Sequence, residues 1–359
     1  MLSGFIFYFA DFMDSRRASV PDGIGVMKIV ENNIYLEETE MNAVILEPLG
    51  ISEERLDELK RPLEKRGVVF TSYPRTGDTE VLKKEVAEAE ILILANMPLP
   101  GEVITAAEKA RFLDIAFTGV DHVDIEACRE NGIAVSNASG YSTEAVAELT
   151  VGMALELARK MHAAELRCRA GMTKEGLGLT EIKEKTVGII GLGKIGTRSA
   201  ELFHAFGAKI LSYSRTEHTD APAYVRQVSL WELLEQSDYV VLHCPLTKET
   251  RGLIGRNELM RMKQTAFLIN TARGPVVQTD ALIEALNEEI IAGAAMDVFD
   301  LEPPLDPDLP ILNVPNLFVT PHIGFATEEA MDLRAQIVFE SVRAWLDGGQ
   351  NSVVVPRND

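Results

Sequence analysis

Cysteine is scarce in this sequence, and long hydrophobic runs are missing. Three cysteines occur in 359 residues, at Cys128, Cys168 and Cys244. Because they form no CxxC pair and their number is odd, neither a disulfide framework nor a zinc site is expected. A reducing, cytoplasmic location without a metal fits this composition. The apolar run at the N-terminus is short, has no basic residue before it and is interrupted by Asp11, so it predicts neither a signal peptide nor a membrane span.

Basic residues are also too few to balance the acidic ones. Lysine and arginine number 35 against 55 aspartates and glutamates, which gives a formal net charge of -20. Nucleic acids and anionic membranes require a basic face, so neither is an expected partner. An anionic small-molecule substrate would have to be held by a few arginines against this repulsive background.

The length of the chain predicts two domains, because one ordinary hydrophobic core does not organise 359 residues. The 46% hydrophobic and 25% charged residues are close to the average of globular proteins. Residues 1–40 do not share the pattern that follows. We interpret them as an N-terminal extension, which could be an artefact of the assumed start codon or an ordinary ordered arm or tail.

From residue 41 onward, short apolar runs alternate with amphipathic stretches. One such stretch has Ser52 in position to cap a helix and Gly67 in position to end it. Short buried strands that alternate with helices predict a parallel sheet covered on both faces. The candidate strands of this first series are residues 43–48, 68–73, 91–96, 112–117 and 133–137.

A long helix is predicted from Thr143 to about Arg167, with Ser142 or Thr143 as its cap. Apolar residues cover much of its circumference, which is more than a surface helix needs. The sequence leaves three interpretations open: a contact between domains, a contact with a second subunit, or a simple buried core helix.

A second series of strands and helices follows this helix. Two such series in one chain predict an α/β protein with two doubly wound parallel-sheet domains. The candidate strands of the second series are residues 186–191, 209–214, 239–244, 266–270, 290–298 and 317–320.

A glycine fingerprint follows the first strand of the second series. The strand leads directly into Gly191-Leu-Gly193-Lys194-Ile195-Gly196 and then into a helix that ends at Gly207. The first glycine permits the tight turn, the second lets the backbone approach a pyrophosphate, and the third allows the helix to pack on the strand. Because strand, loop, helix and second strand come in the required order, the loop predicts dinucleotide binding.

The end of the next strand bears on the choice between NAD and NADP. An acidic residue there would bind the ribose hydroxyls of NAD. The sequence instead has Ser214, Arg215 and Thr216, and a guanidinium with two hydroxyls suits a 2′-phosphate. We therefore predict a preference for NADP(H), although the nearby Glu217 keeps NAD(H) possible.

Three later segments place an arginine, carboxylates and a histidine at the carboxyl ends of predicted strands, where open α/β sheets bind ligands. They contain Arg273, the pair Asp297 and Glu302, and His322. An arginine can bind a carboxylate with two hydrogen bonds and polarise an adjacent carbonyl. A histidine can protonate a developing alkoxide, and a glutamate beside it fixes the tautomer and favours the imidazolium form. This set predicts hydride transfer to a 2-oxo acid.

In these motifs the sequence resembles the D-isomer-specific 2-hydroxyacid dehydrogenase family. The resemblance covers essentially all of residues 42–345. This family includes glyoxylate reductases, hydroxypyruvate reductases and phosphoglycerate dehydrogenases. The motifs that carry it are FTGVDHVDIEA, the VAE of STEAVAELT, GIIGLGKIG, SDYVVLHCPLTKETRGLI, LINTARGPVV, AMDVFDLEPPL and TPHIGFAT.

The resemblance implies a role for each matching residue. Arg273 would bind the substrate carboxylate, His322 would be the acid/base and Glu302 its partner. On the substrate side, backbone amides of Gly119 and Val120 and of the segment from Asn96 to Leu99, which includes Met97 and Leu99, would help to hold the carboxylate. The remaining matches concern the cofactor: Asp297 and Thr271 near the nicotinamide, and His243, Pro245 and Thr250 along the adenosine.

The resemblance also implies an inserted domain arrangement. A Rossmann cofactor domain at 142–324 would interrupt a flavodoxin-like substrate domain built from 41–141 and 325–359. Closure of the cleft between them would exclude water, and dimerisation through the 143–167 helix is the expected oligomeric state. The product would be the D-2-hydroxy acid. One departure is Glu184, which stands where most members have glycine.

The substrate and one alternative function stay open. The apolar segment at 97–99 offers no extra cation for a phosphate, which favours small acids such as glyoxylate, hydroxypyruvate or pyruvate. Ile323 and Phe325 would instead suit a bulkier side chain. Some members of the family act as dinucleotide-sensing corepressors with the same residues, and an enzyme of this fold could also act on something other than a 2-oxo acid, such as phosphite.

Overall fold

The computed structural model describes residues 26–30, 33–37, 40–302 and 304–357. Its first two strands are β1 (Val26–Val30) and β2 (Asn33–Glu37), which pair antiparallel and form a sheet of their own. The sequence analysis did not predict this hairpin. The rest of the predicted N-terminal extension lies outside the described residues.

The first large sheet begins with five parallel strands in the order β4-β3-β5-β6-β7. This order matches the flavodoxin-like arrangement, so the predicted fold of this part is confirmed. The Ser52 hydroxyl accepts the Arg55 N–H and begins the first helix, as predicted. The elements are β3 (Met41–Ile45), α1 (Glu53–Glu64), β4 (Val68–Ser72), α2 (Thr79–Val86), β5 (Ile91–Leu94), α3 (Gly101–Ala106), β6 (Phe112–Ile115), α4 (Ile125–Glu130) and β7 (Ala134–Asn137).

The helix predicted over 143–167 is two helices, α5 (Thr143–Arg159) and α6 (Met161–Arg169). The helix is interrupted at Lys160, whose φ of 44° lies in the left-handed region. Glu156 stabilises the break, because its carboxylate accepts the His162 N–H that has no partner in α5. The prediction of one continuous helix was therefore wrong. Ser142 precedes α5 but makes no capping hydrogen bond through its side chain.

The second large sheet has seven parallel strands in the order β10-β9-β8-β11-β12-β13-β14. This is the strand order of a Rossmann sheet, as predicted. Its elements are β8 (Thr186–Ile190), α7 (Lys194–Ala205), β9 (Lys209–Tyr213), β10 (Val225–Gln227), α8 (Leu230–Gln236), β11 (Tyr239–Leu242), α9 (Arg256–Arg261), β12 (Phe267–Asn270), α10 (Thr279–Asn287), β13 (Gly293–Met296) and β14 (Leu317–Val319).

The end of the chain returns to the first sheet. The last helix, α11 (Glu328–Leu346), packs on β6, where Trp345 stacks on Phe112 at a centroid distance of 5.3 Å. The last strand, β15 (Val353–Val355), pairs antiparallel with β7 and becomes the edge of that sheet. The domain boundaries given above stay a prediction, although α11 and β15 belong to the same hydrophobic core as the first five parallel strands.

Glu184 lies in the turn before β8 with a φ of 64°. Only glycine adopts this left-handed conformation without a steric penalty from Cβ. The backbone N–H of Glu184 donates to Gly207 at 2.9 Å, so the turn ties the start of β8 to the end of α7. The conformation explains why a glycine suits this position.

Asp114 is a fully buried carboxyl group on β6. Neither of its oxygens has a hydrogen-bond partner of normal geometry among the described residues. Burial raises the pKa of Asp114 to about 8, and the nearby Ser341 hydroxyl on α11 opposes that rise. The side chain is therefore mostly neutral at pH 7, because an apolar environment disfavours the charged carboxylate relative to the protonated carboxyl group.

This burial predicts that stability falls as the pH rises from about 4 to about 8. In that window the folded protein keeps a proton on Asp114 that the unfolded chain has lost. Asp114→Asn carries no such proton, so its Tm should exceed that of the parent by at least about 3 °C at pH 8 and by less at pH 4. The exposed Asp57→Asn variant is the matched control. Equal pH dependence in the parent and Asp114→Asn would contradict the assignment.

No helix among the described residues combines the length and the hydropathy needed to cross a membrane.

Candidate active site

A cleft of about 630 Å³ lies at the carboxyl ends of the strands of both large sheets. The first sheet contributes the segments that follow β6 and β7, and the second contributes those that follow β8, β11, β12, β13 and β14. Parallel strands bring such segments to one edge, which is where open α/β sheets bind ligands. The cleft is the setting for most of the predicted site residues.

The glycine loop forms one wall of the cleft with backbone rather than side chains. Gly191 has a φ of 99°, and a Cβ on Gly196 would lie 2.0 Å from the Gly191 oxygen. Both positions therefore require glycine. A Cβ on Gly193 would meet nothing within 4 Å, so open space faces the N-terminus of α7. That space, next to free N–H groups and beside Lys194 and Ile195 in the lining, fits the pyrophosphate of a dinucleotide.

The predicted adenosine-side residues lie around the end of β9 and the loop after β11. The Ser214 hydroxyl accepts the Leu192 N–H at 3.0 Å and so ties β9 to the glycine loop. Arg215 has an exposed side chain 3.8 Å from Glu249, and Thr216 is also exposed. His243 and Pro245 line the cleft. Six of the predicted cofactor residues are not in the lining: Gly191, Gly196, Ser214, Arg215, Thr216 and Thr250.

The loop after β11 is held by its own hydrogen bonds. Thr250, which also lies outside the lining, donates from its hydroxyl to the Pro245 carbonyl at 2.6 Å. Burial lowers the pKa of His243 to about 3, so its ring is neutral at any physiological pH. Its Nε2 lies 2.8 Å from the Ser199 hydroxyl on α7, which connects this loop to the helix behind the glycine loop.

Asp297 organises the loop that carries His322. One of its oxygens accepts the Thr320 hydroxyl at 2.5 Å and the Ile323 N–H at 2.8 Å, and the other accepts the Gly324 N–H at 2.8 Å. Burial raises the pKa of Asp297, while these hydrogen bonds oppose the rise. The bonds hold His322 at a φ of 57°, a left-handed conformation that a residue other than glycine rarely adopts.

The imidazole of His322 is oriented by Glu302. Its Nδ1 lies 2.5 Å from a Glu302 oxygen, which leaves Nε2 as the ring nitrogen available to a ligand. The His322 side chain is 17% exposed and lines the cleft, while Glu302 is 46% exposed behind it. The rings of Phe117 and Phe325 pack edge-on against the imidazole at 6.1 and 5.3 Å. The predicted histidine–glutamate pair is therefore brought together.

Arg273 reaches the same cleft from the loop after β12. Its guanidinium lies 5.7 Å from the Phe117 ring and against the Gly119 backbone, where a Cβ would come within 1.8 Å of Nη2. Thr271, two residues earlier, also lines the cleft and is only 9% exposed. An arginine and a histidine that both pack against Phe117 can bind a carboxylate and exchange a proton with a neighbouring oxygen.

The predicted substrate-side residues divide into two groups. Gly119 and Val120 line the cleft. Met97 and Leu99 do not, because their side chains are 2% and 1% exposed within the core of the first sheet. Backbone hydrogen bonds to His122 and Asp124 fix Leu99 beside the lining segment. The Met97 N–H donates to a Glu47 oxygen at 2.7 Å and the Leu99 N–H donates to the His122 carbonyl at 2.9 Å, so neither backbone amide is free for the predicted contact with a substrate carboxylate.

The sequence analysis singled out neither Phe117 nor Asp121 nor Tyr141, all of which line the cleft. Two of them lie in the motif FTGVDHVDIEA, from which only Gly119 and Val120 were singled out. Asp121 stands two positions after Gly119 in this motif. An acidic residue so close to a predicted substrate-side glycine is the signal that could have identified it. Tyr141 gives no such signal, since only the fold brings it to Phe117 at 6.1 Å.

Metal ligands do not converge in the described part of the chain. No group of three or more histidine, cysteine, aspartate or glutamate side chains there could hold an ion.

Comparisons with known proteins identify the family. Residues 151–324 match the model of the D-isomer specific 2-hydroxyacid dehydrogenase NAD binding domain. A glyoxylate reductase from Thermofilum pendens is 39% identical over 290 residues, which are 78% of this chain and 85% of that protein. The chain belongs to the D-isomer specific 2-hydroxyacid dehydrogenase family.

Two further similarities extend this result. A D-3-phosphoglycerate dehydrogenase from Methanocaldococcus jannaschii is 38% identical over 285 residues, which are 77% of this chain and 54% of that protein. The structure of a D-lactate dehydrogenase from Aquifex aeolicus, complexed with NAD and lactic acid, superposes with a TM-score of 0.79 at 29% identity. The superposition covers 88% of this chain and 100% of that one. The dehydrogenase is an oxidoreductase with a nicotinamide dinucleotide cofactor, as the glycine loop predicts.

Proposed function

We propose that this dehydrogenase reduces a small 2-oxo acid to the D-2-hydroxy acid with Arg273, Glu302 and His322. The observation that carries the proposal is the 2.5 Å contact between His322 and Glu302 in the cleft that Arg273 and the glycine loop share. A cation for a carboxylate and an oriented acid for a carbonyl oxygen are the two groups that this reaction needs. The enzymes among its relatives do not favour the corepressor alternative.

The chemistry follows from the positions of these groups. A bound reduced nicotinamide supplies the hydride that C2 of the substrate accepts. The Arg273 guanidinium binds the substrate carboxylate, which orients the adjacent carbonyl carbon in the cleft. The Nε2–H of His322 donates its proton to the carbonyl oxygen as negative charge develops there. Glu302 accepts from Nδ1–H and so keeps the ring oriented for that transfer. In the oxidative direction His322 takes the proton back.

Removal of the imidazole tests the proposed acid. His322→Ala should lower kcat for glyoxylate reduction by about 10² to 10⁴-fold, since this is the usual contribution of a positioned acid. The Kd for NADPH should stay within about twofold of the parent, because His322 is not in the glycine loop. Glu302→Gln should also lower kcat, by less than His322→Ala, because a neutral amide replaces the carboxylate that orients the imidazole through Nδ1.

Steady-state kinetics provide the measurement, and fluorescence titration gives the cofactor Kd. The surface variant Glu126→Gln is the control for a lost carboxylate. A His322→Ala or Glu302→Gln protein with parental kcat would exclude the assigned roles.

NADP(H) is the cofactor that we propose. The end of β9 has hydroxyls at Ser214 and Thr216 and an exposed guanidinium at Arg215, with no carboxylate at the strand end. Ser214 is occupied by the Leu192 N–H, so Arg215 and Thr216 are the groups that would bind a 2′-phosphate.

The cofactor proposal predicts a higher kcat/KM with NADPH than with NADH for the parent enzyme. Arg215→Ala should reduce kcat/KM for NADPH by about tenfold, because it loses a charge-assisted contact to the 2′-phosphate, and should leave the NADH value within about twofold. Arg226→Ala, which removes an exposed arginine from the nearby β10, is the matched control. Better turnover with NADH in the parent would refute the preference.

A small monocarboxylate is the proposed substrate class. The relatives include both a glyoxylate reductase and a D-3-phosphoglycerate dehydrogenase at nearly equal identity, so identity does not decide between them. Among the described residues that line the cleft, Lys194 and Arg273 are the lysines and arginines, and Lys194 belongs to the glycine loop. A phosphate on the substrate would therefore find no second cation. Phe117, Tyr141 and Phe325 give the cleft an apolar wall instead.

A homodimer formed through the region of α5 and α6 is the proposed assembly. No side chain of α6 is buried within this chain. Apolar side chains of this region are between 40% and 60% exposed, at Met161, Leu166, Met172 and Leu179. Surfaces of this kind are typical of contacts between subunits.

Light scattering after size exclusion should give about twice the chain mass of 39.5 kDa at micromolar concentration. Leu166→Arg should give the mass of one chain, because a charge would be buried in the contact without a partner. Met260→Arg, at an equally exposed apolar residue on α9, should stay dimeric. A single-chain mass for the parent would contradict the proposed assembly.

A further inference from the structure

Arg273 makes an ion pair across the cleft. It follows β12 of the second sheet, and its partner Asp121 follows β6 of the first. The Nε atom of Arg273 lies 3.2 Å from one Asp121 oxygen and 3.4 Å from the other. The side chains are 20% and 38% exposed, and both residues line the cleft. The proposed substrate-binding cation is thus already in contact with a carboxylate of the protein.

The contacts of the guanidinium are specific to its individual nitrogen atoms. Nε binds Asp121, and Nη1 donates to the Ala272 carbonyl at 2.8 Å. Nη2 has no hydrogen bond to the protein among the described residues, and it lies where a Cβ of Gly119 would be. A guanidinium binds a carboxylate with two parallel N–H groups, so it can use either the edge with Nε or the edge with Nη1 and Nη2.

We propose that Asp121 is a positioning residue, which holds Arg273 by Nε and so presents the Nη edge to the substrate carboxylate. This inference rests on the proposed function. Asp121 does not touch the substrate in this arrangement and acts only through the arginine. Gly119 contributes by leaving room for Nη2, and the Phe117 ring supports the guanidinium from one side.

The physical basis is the conformational freedom of arginine. A free arginine side chain has several rotatable bonds, and an incoming ligand would have to order them all. Contacts at Nε and Nη1 order the side chain before the substrate arrives, so less affinity is lost on binding. An asparagine at position 121 would keep an oxygen that accepts the Nε hydrogen. An alanine would leave Nε without this partner.

The opposite view makes a different prediction. If Asp121 only competed with the substrate for the guanidinium, its removal would tighten substrate binding. The sign of the change in KM therefore separates positioning from competition. The two views also differ for asparagine, because a neutral side chain that still accepts a hydrogen bond preserves positioning but removes most of the competition.

The test measures KM and kcat for glyoxylate, with NADPH saturating, in Asp121→Ala, Asp121→Asn and the parent. Asp121→Ala should raise KM by about tenfold and change kcat by less than about threefold. Asp121→Asn should restore KM to within about threefold of the parent. Oxamate, a non-reducible analogue, should show the same order of inhibition constants. Glu126→Ala, which removes a carboxylate from α4 without contact to Arg273, should match the parent.

The Kd for NADPH and the Tm of each variant show whether an effect is confined to the substrate side, and both should match the parent. An unchanged or lower KM in Asp121→Ala would overturn the proposal, as would an Asp121→Asn protein as impaired as Asp121→Ala. If the parent itself reduces no 2-oxo acid, the proposed function fails instead. If the parent reduces a 2-oxo acid but the substitutions at position 121 have no effect, only this inference fails.

Discussion

The buried carboxylate of Asp297 is the constraint on which the geometry of the active site depends. Its three hydrogen bonds connect the end of β13 to the loop after β14 and force His322 into a left-handed backbone conformation. A buried carboxylate without such donors would be costly, and a strained residue without such support would relax. Each feature stabilises the other, and together they direct the imidazole toward Glu302 and the cleft.

The order of the strands could be predicted because parallel sheets leave a plain signal. Strands buried on both faces are apolar throughout, and the glycine loop marks where the cofactor sheet begins. That Arg273 and His322 line one cleft could be predicted for a related reason, because both follow strands whose carboxyl ends meet at one edge. The short edge strands β10 and β15 were missed.

Other features depend on contacts that the sequence does not display. Lys160 ends α5 in a left-handed conformation although lysine is a good helix former. Met97 and Leu99 were expected to hold the substrate through their backbone amides, but Glu47 and the His122 carbonyl accept these two N–H groups. The pairing of Asp121 with Arg273 joins residues that are 152 positions apart. Tertiary contacts determine the conformation or the position of each of these residues, and the local sequence pattern does not indicate those contacts.

The central claim is that the cleft binds a 2-oxo acid between Arg273 and His322, beside the glycine loop. A crystal structure of the protein with NADPH and oxamate tests this claim most directly. The account predicts the oxamate carboxylate within hydrogen-bond distance of the Arg273 guanidinium, and its keto-equivalent oxygen within hydrogen-bond distance of Nε2 of His322. Oxamate bound with its carboxylate away from Arg273, or outside the reach of His322, would contradict it.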